Sequence, residues 1–262
     1  MNEAQQSTTK VDLSIVIPAW NEARRLPKTL SKVAQFQKVF PGQLEVLIAD
    51  DGSTDNTLEQ AMLLSPELTI RTVSATHRKG PGDAVKRGVL ASHGRRVLIS
   101  DADGPVPFDD AMMLWAALDA GADLAVGSRV KNPSSVLLAQ PWHRVIMGKI
   151  WRSISQALVP TGVLDTQCGF KLMEGSCARS IFEQVESRGF GFHVEALYYA
   201  QKHGYKIVEL PVRWNDVPGS KIHLVKDPIV MLGEVLRISL RKSRISTSGT
   251  RPISKLSQKE PH

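Results

Sequence analysis

Val97-Leu98-Ile99-Ser100-Asp101-Ala102-Asp103-Gly104 is an apolar run that stops at two carboxylates separated by a single alanine. A short apolar run bounded by turn residues reads as a buried strand. In an extended segment the side chains of residues i and i+2 share a face, so Asp101 and Asp103 converge at the strand tip. Two hard oxygen ligands so placed suit a partly hydrated Mg²⁺ or Mn²⁺ whose other positions are filled by phosphate oxygens. Taken alone, the pair equally suits a solvated turn after a strand.

Outward from this stretch the chain alternates strands and helices. Strands are expected over 13–18, 44–49, 70–73 and 124–127, with a helix after Glu22 carrying Leu26, Leu30 and Val33 at helical spacing and another over 83–91. Ser53 or Thr54 is expected to cap the helix that follows Asp51. Such alternation predicts a mostly parallel, Rossmann-like sheet flanked by helices, with ligands beyond the carboxyl ends of the strands. The polar clusters at Asn21-Glu22, Asp50-Asp51 and Asp101-Asp103 all fall there. Gly80-Pro81-Gly82 is not a dinucleotide fingerprint, because Val85 stands where the third glycine would be, and no Walker sequence occurs. It reads either as a loop against which a nucleotide lies, with Lys79 near a phosphate, or as an ordinary strand-to-helix turn.

With 262 residues, 42% of them hydrophobic, the chain is expected to form one domain over 11–242, with disordered tails over 1–10 and 243–262. Cys168 and Cys177 have no metal-type spacing, which points to a reducing compartment. No signal segment and no run of about 18 apolar residues is present, so a cytoplasmic protein is expected, peripheral at the cytoplasmic face of a membrane. The net charge of +7 is segregated: no acid lies between Asp123 and Asp165, and the basic residues after Leu236 outnumber Glu260, the one acid there. With 6% aromatic residues and no recognisable nucleic-acid motif, nucleic acid is set aside as a partner. Residues 142–158 and the spacing of Val225, Ile229, Leu232, Leu236 and Leu240 instead predict two amphipathic helices edged with bases, suited either to packing on the core or to an anionic membrane surface.

The ordered series Ile-Pro-Ala-Trp-Asn-Glu (17–22), Ala-Asp-Asp-Gly-Ser-Thr-Asp (49–55), Asp-Ala-Asp-Gly (101–104) and Val-Gly-Ser-Arg (126–129) resembles the motifs of family 2 glycosyltransferases with the GT-A fold. Asp-Thr-Gln-Cys-Gly-Phe-Lys (165–171), Phe-His-Val-Glu-Ala-Leu-Tyr (192–198) and Val-Arg-Trp-Asn-Asp-Val-Pro-Gly-Ser-Lys (212–221) resemble the branch that moves a sugar to a polyprenyl phosphate. The resemblance implies an inverting, metal-dependent hexosyltransferase, UDP-glucose being the preferred donor. Pro18, Trp20, Glu22, Ala49 and Asp51 would contact base and ribose, with Lys79, Asp101 and Ala102 nearby. Asp101 and Asp103 would hold Mg²⁺ or Mn²⁺ against the diphosphate, although Pro105 stands where related mannosyl enzymes often place a further polar ligand. Arg129, Arg144, Ser220 and Lys221 would receive the acceptor phosphate. GDP-mannose as donor, a soluble acceptor, a non-catalytic nucleotide-sugar sensor and a membrane-surface adaptor are the alternatives.

Asp165 would by resemblance sit near the acceptor. A hydroxyl acceptor needs a general base. A phosphate monoester, whose second pKa is near 6, is already a dianionic nucleophile at neutral pH. Asp165 is therefore expected to orient the acceptor or a lysine, with base catalysis the lesser role and a turn cap before Gly169 the structural alternative.

Overall fold

A computed structural model describes residues 11–64, 66–131, 142–215 and 226–246, the side chains of several residues in the two amphipathic helices excepted. Its seven strands are β1 (Leu13–Ala19), β2 (Leu44–Asp50), β3 (Ile70–Ser74), β4 (Arg96–Ile99), β5 (Leu124–Ser128), β6 (Lys171–Glu174) and β7 (Ile207–Pro211), in one sheet of order β3-β2-β1-β4-β6-β5-β7. β1 pairs in parallel with β2 and β4, β2 with β3, and β5 with β7. β6 alone runs antiparallel, between β4 and β5. The expected mostly parallel α/β sheet is present.

β1 and β2 are buried along nearly their whole length, as parallel strands covered on both faces must be. Alternation then sorts their side chains into two cores. Leu13, Ile15, Ile17, Val46, Ile48 and Leu98 face α1 (Leu26–Gln37), α2 (Thr57–Met62) and α4 (Ala111–Asp119). Val16, Leu47, Ala49, Val97 and Ile99 face α3 (Pro81–Leu90), α6 (Gly175–Gln184), α7 (Phe192–Lys202) and α8 (Lys226–Ser246). α5 (Trp142–Leu158) packs on α8. α8 continues through Ser246, past the boundary at 242 read from the sequence.

The antiparallel β6 has a consequence for function. It begins where the parallel strands end: Lys171 pairs with Ile99 of β4 and with Val126 of β5. The sheet edge that carries Asp51, Asp101 and Arg129 thereby also receives a buried lysine.

α3 lies close on β1 at Gly88. A Cβ there would stand 2.5 Å from Val16 Cγ1 and 3.1 Å from Ala49 Cβ. Alanine is about 1 kcal/mol better than glycine inside a helix, but overpacking against a stiff valine costs about 1–3 kcal/mol. Gly88→Ala is therefore expected to lower stability in urea unfolding, and adding Val16→Ala should cost less than the two single losses summed.

Candidate active site

The loop after β1 and the loop after β2 are laced together by short polar side chains. Asn21, at φ 54°, accepts from the Thr54 amide at 2.8 Å through Oδ1 and donates its own N–H to Ser53 Oγ at 2.9 Å. Glu22 N–H donates to Thr57 Oγ1 at 2.7 Å. Ser53 and Thr54 thus bind Asn21 instead of capping α2, which starts at Thr57 without a side-chain cap, so the expected cap is corrected. Asp51 is buried and accepts the amides of Lys79 at 2.8 Å and Gly80 at 2.9 Å, fixing the path of the Gly80-Pro81-Gly82 loop. On its far side Gly82 N–H donates to Arg188 O, and at Gly80, where φ is 119°, a Cβ would stand 2.3 Å from that carbonyl. Arg78 stacks on Trp20, its guanidinium carbon 3.6 Å from the ring centroid. Pro18, Trp20, Glu22, Asp51 and Lys79 therefore lie at one end of the sheet, while Ala49, with no exposed surface, and nearly buried Ala102 pack into the two cores beneath it.

The acid pair lies on the neighbouring strand end, with a correction to its geometry. β4 stops at Ile99, and 101–104 form a turn closed by Gly104 N–H to Asp101 O. α1 holds this turn: Thr29 Oγ1 donates to Ala102 O at 2.8 Å and Lys32 Nζ to Gly104 O at 3.0 Å. Burial, and then the charge of Asp103, push the Asp101 carboxyl up to about 6, against the pull of Lys171, Arg129 and Arg25. Gly169 makes the enclosure possible, since a Cβ there would lie 2.3 Å from Asp101 Oδ2. No group of three or more His, Cys, Asp or Glu suited to a metal occurs among the described residues. A pair of crowded carboxylates, one held against its ionisation, fits a hard divalent ion that takes its remaining oxygens from water and diphosphate.

Across Gly169 stands a cationic cluster. Arg129 grips Asp165 through Nε at 2.8 Å, Nη2 at 2.7 Å and its backbone N–H at 2.9 Å, and lies over the Trp214 ring at 4.7 Å. Glu209 of β7 fixes the other side of this loop by accepting the amides of Leu164 at 3.0 Å and Asp165 at 2.8 Å. Burial raises the Asp165 carboxyl, but the hydrogen bonds and charge of Arg129 outweigh it and hold the group below its ordinary value. That is the state of an anchor rather than of a general base. Lys171 is 2% exposed and donates to the carbonyls of Thr166 and Cys168 and to His193 Nδ1. Burial lowers Lys171 to about 8, and burial with the neighbouring cations keeps His193 neutral.

Ser220, Lys221 and the side chain of Arg144 lie outside the described residues. Arg25, Lys171, His193, Glu209 and Trp214 were not singled out for a role from the sequence. Lys171, His193 and Trp214 stand inside quoted motifs, and Arg25 stands one helical turn after Glu22.

A family model described as "Glycosyl transferase family 2" matches residues 14–182. The dolichyl-phosphate beta-glucosyltransferase of Dictyostelium discoideum is 34% identical over 91% of this chain and 77% of its own. The human enzyme of that name is 31% identical over 90% and 76%. Glucosyl-3-phosphoglycerate synthase from Mycobacterium tuberculosis, solved with Mn²⁺ and UDP-glucose, superposes with a TM-score of 0.63 at 20% identity, covering 91% of this chain and 81% of that one. The shared fold is GT-A.

A fold that raises the Asp101 pKa loses stability as pH climbs from the unfolded value near 4 through about 6, because the folded state holds the proton longer. Without metal, Asp101→Asn is therefore expected to exceed the parent at pH 7.5 by about 1–2 kcal/mol, roughly 2–4 °C in Tm, with the gap closing near pH 4. Melting curves across pH check this, and parallel curves for the two proteins refute it.

Proposed function

Because the chain belongs to the family 2 glycosyltransferases, which take their sugar from a nucleotide sugar, we propose that it transfers glucose from UDP-glucose to a polyprenyl phosphate of the dolichyl class, with inversion and with a divalent metal. One juxtaposition supports this above all. An acid pair suited to a metal diphosphate lies against Gly169, and near it stands the part-exposed Arg129, backed by buried Lys171, as a cation suited to an acceptor anion. The names of the relatives and the UDP-glucose complex of a protein with the same fold are consistent with the two substrates of this reading.

In this reading Trp20, Glu22 and Asp51 frame the base and ribose with Pro18, Ala49 and Ala102 behind them, and Lys79 stands near the phosphates. Asp101 and Asp103 would hold Mg²⁺ or Mn²⁺, which when bound supplies Lewis-acid stabilisation of the departing diphosphate. The acceptor phosphate arrives as a dianion, so no proton needs to be removed, in agreement with the depressed pKa of Asp165. Its oxygen attacks the anomeric carbon in line. The new bond between that oxygen and the anomeric carbon forms as the bond from the anomeric carbon to the diphosphate oxygen breaks, and its electron pair leaves with UDP. Arg129, fixed by Asp165, offsets repulsion between the incoming dianion and the donor diphosphate. Arg144, Ser220 and Lys221 would complete the acceptor site.

The acceptor's lipid tail calls for a membrane surface. On α8, Val235 and Ile238 turn inward while Ile229, Val230, Leu232, Leu236 and Leu240 are exposed, Ile229 to 66% and Leu240 to 65%. That outward apolar face, with Arg237 and Arg241 on the same helix, suits anionic headgroups. No helix among the described residues is long and apolar enough to cross a membrane.

Product analysis with a panel of UDP- and GDP-sugars, a short-chain polyprenyl phosphate and Mg²⁺ is expected to yield glucosyl phospholipid from UDP-glucose alone. A mannosyl product from GDP-mannose would overturn the donor assignment. Asp103→Asn should lower transfer by ~10²-fold or more while leaving the melting transition intact; full activity in the variant would remove the metal role. Leu236→Glu with Leu240→Glu should abolish sedimentation with anionic liposomes and spare UDP binding.

A further inference from the structure

Arg25 immediately precedes α1, between the donor loop and the acid pair. Its Nε and Nη2 donate to the two Glu22 carboxylate oxygens at 2.7 and 2.5 Å, and its Nη1 donates to Asp103 Oδ2 at 3.1 Å. The three side chains are 19%, 7% and 23% exposed respectively for Arg25, Glu22 and Asp103, so little water screens them. Glu22 holds the guanidinium by both arms of its fork, a geometry that fixes direction as well as distance. The remaining nitrogen points at one of the two carboxylates suited to a metal.

The charge balance around this pair has a direct bearing on metal binding. Charges acting on Asp101 include Asp103 and the cations Lys171, Arg129 and Arg25, and of these Arg129 is also paired with Asp165 and Arg25 with Glu22. Arg25 meets Asp103 directly, and an arginine keeps its charge at any working pH. A divalent ion on Asp103 meets a positive neighbour. A nucleoside diphosphate adds two or more negative charges at the same place, so its arrival reverses the balance.

We propose that Arg25 is the resident counter-cation of the acid pair and makes metal binding conditional on the nucleotide: Glu22 aims it at Asp103, it resists metal alone, and the diphosphate offsets it. Arg25 is thereby a positioning and gating residue for the site rather than a catalytic one. The inference rests on the assignment of Asp101 and Asp103 to a metal diphosphate.

Binding without turnover tests it. Mn²⁺ is titrated into the full chain with and without UDP, following free Mn²⁺ by electron paramagnetic resonance and UDP by calorimetry. For the parent, UDP is expected to tighten Mn²⁺ markedly. In Arg25→Met, Mn²⁺ alone should bind about tenfold tighter while its affinity for the UDP complex stays unchanged, so the enhancement by UDP, and reciprocally that of UDP by Mn²⁺, should shrink about tenfold. Arg25→Lys keeps the charge and should keep the parental dependence on UDP. Arg25→Gln can still donate to Glu22, and it gives the same reading should the methionine variant fail to fold. Unchanged Mn²⁺ affinity in whichever neutral variant is folded, beside a parent that binds both ligands, overturns the gate and leaves the functional assignment standing. A parent that binds neither Mn²⁺ nor UDP overturns both.

Discussion

Charge held out of water governs this structure. Asp101 is drawn into a part-buried corner against Gly169, where burial favours the protonated form, and the fold answers by placing Lys171, Arg129 and Arg25 near it. A buried ion left unpaired costs far more than any single packing contact. The surrounding backbone is arranged accordingly. β6 runs against its neighbours, so that its first residue, Lys171, reaches the edge where the parallel strands end. The 165–169 loop curls so that its carbonyls receive that lysine, and Glu209 anchors the loop from outside. Chemistry with anions follows from the same arrangement, because cations fixed by buried partners lose no orientation when a phosphate arrives.

Much of the sheet was legible in the sequence because β1, β2, β4 and β5 are buried on both faces and so read as mostly apolar runs, broken by Ser14 in β1 and Glu45 in β2 and opened by Arg96 in β4. Their tips read as a candidate site because each run stops at polar residues. β6 could not be read this way. It has only four residues, it opens with Lys171, and its pairing depends on partners far away in sequence. β7 is equally hidden, half-buried along its length at the sheet edge. The helix-cap expectation at Ser53 and Thr54 rested on local residue types, and Asn21 prevailed because it reaches those groups from another loop.

Individual roles were harder to read than membership of the site. Asp165 was visible as a motif residue, but whether a carboxylate acts as base, ligand or anchor depends on what faces it, and only the fold brings Arg129 to it in a bidentate grip. The convergence of Asp101 and Asp103 was argued from an extended strand. The structure reaches a related arrangement by a turn that α1 holds in place through Thr29 and Lys32. Arg25 sat one turn beyond a quoted motif, and nothing in linear spacing reveals that a helix start will meet a strand end 78 residues away in sequence.

The apolar face of α8 and the donor loop are built into one body. From the buried side of α8, Glu234 accepts the amides of Gly189 at 2.7 Å and Gly191 at 2.9 Å, and both glycines lie so close to it that a Cβ would collide. The carbonyl of Arg188, in the same loop, receives Gly82 N–H. Two residues before Gly82, Gly80 N–H returns to Asp51. A short relay of backbone hydrogen bonds therefore runs from the helix that carries the exposed leucines to the carboxylate at the tip of β2. Loops normally move more than the elements they join, yet this one is clamped at both sides. Under the proposed function, with one substrate drawn from water and the other from a lipid surface, two such surfaces would have to be kept in fixed relation, and buried Glu234 would supply that constraint at the α8 end.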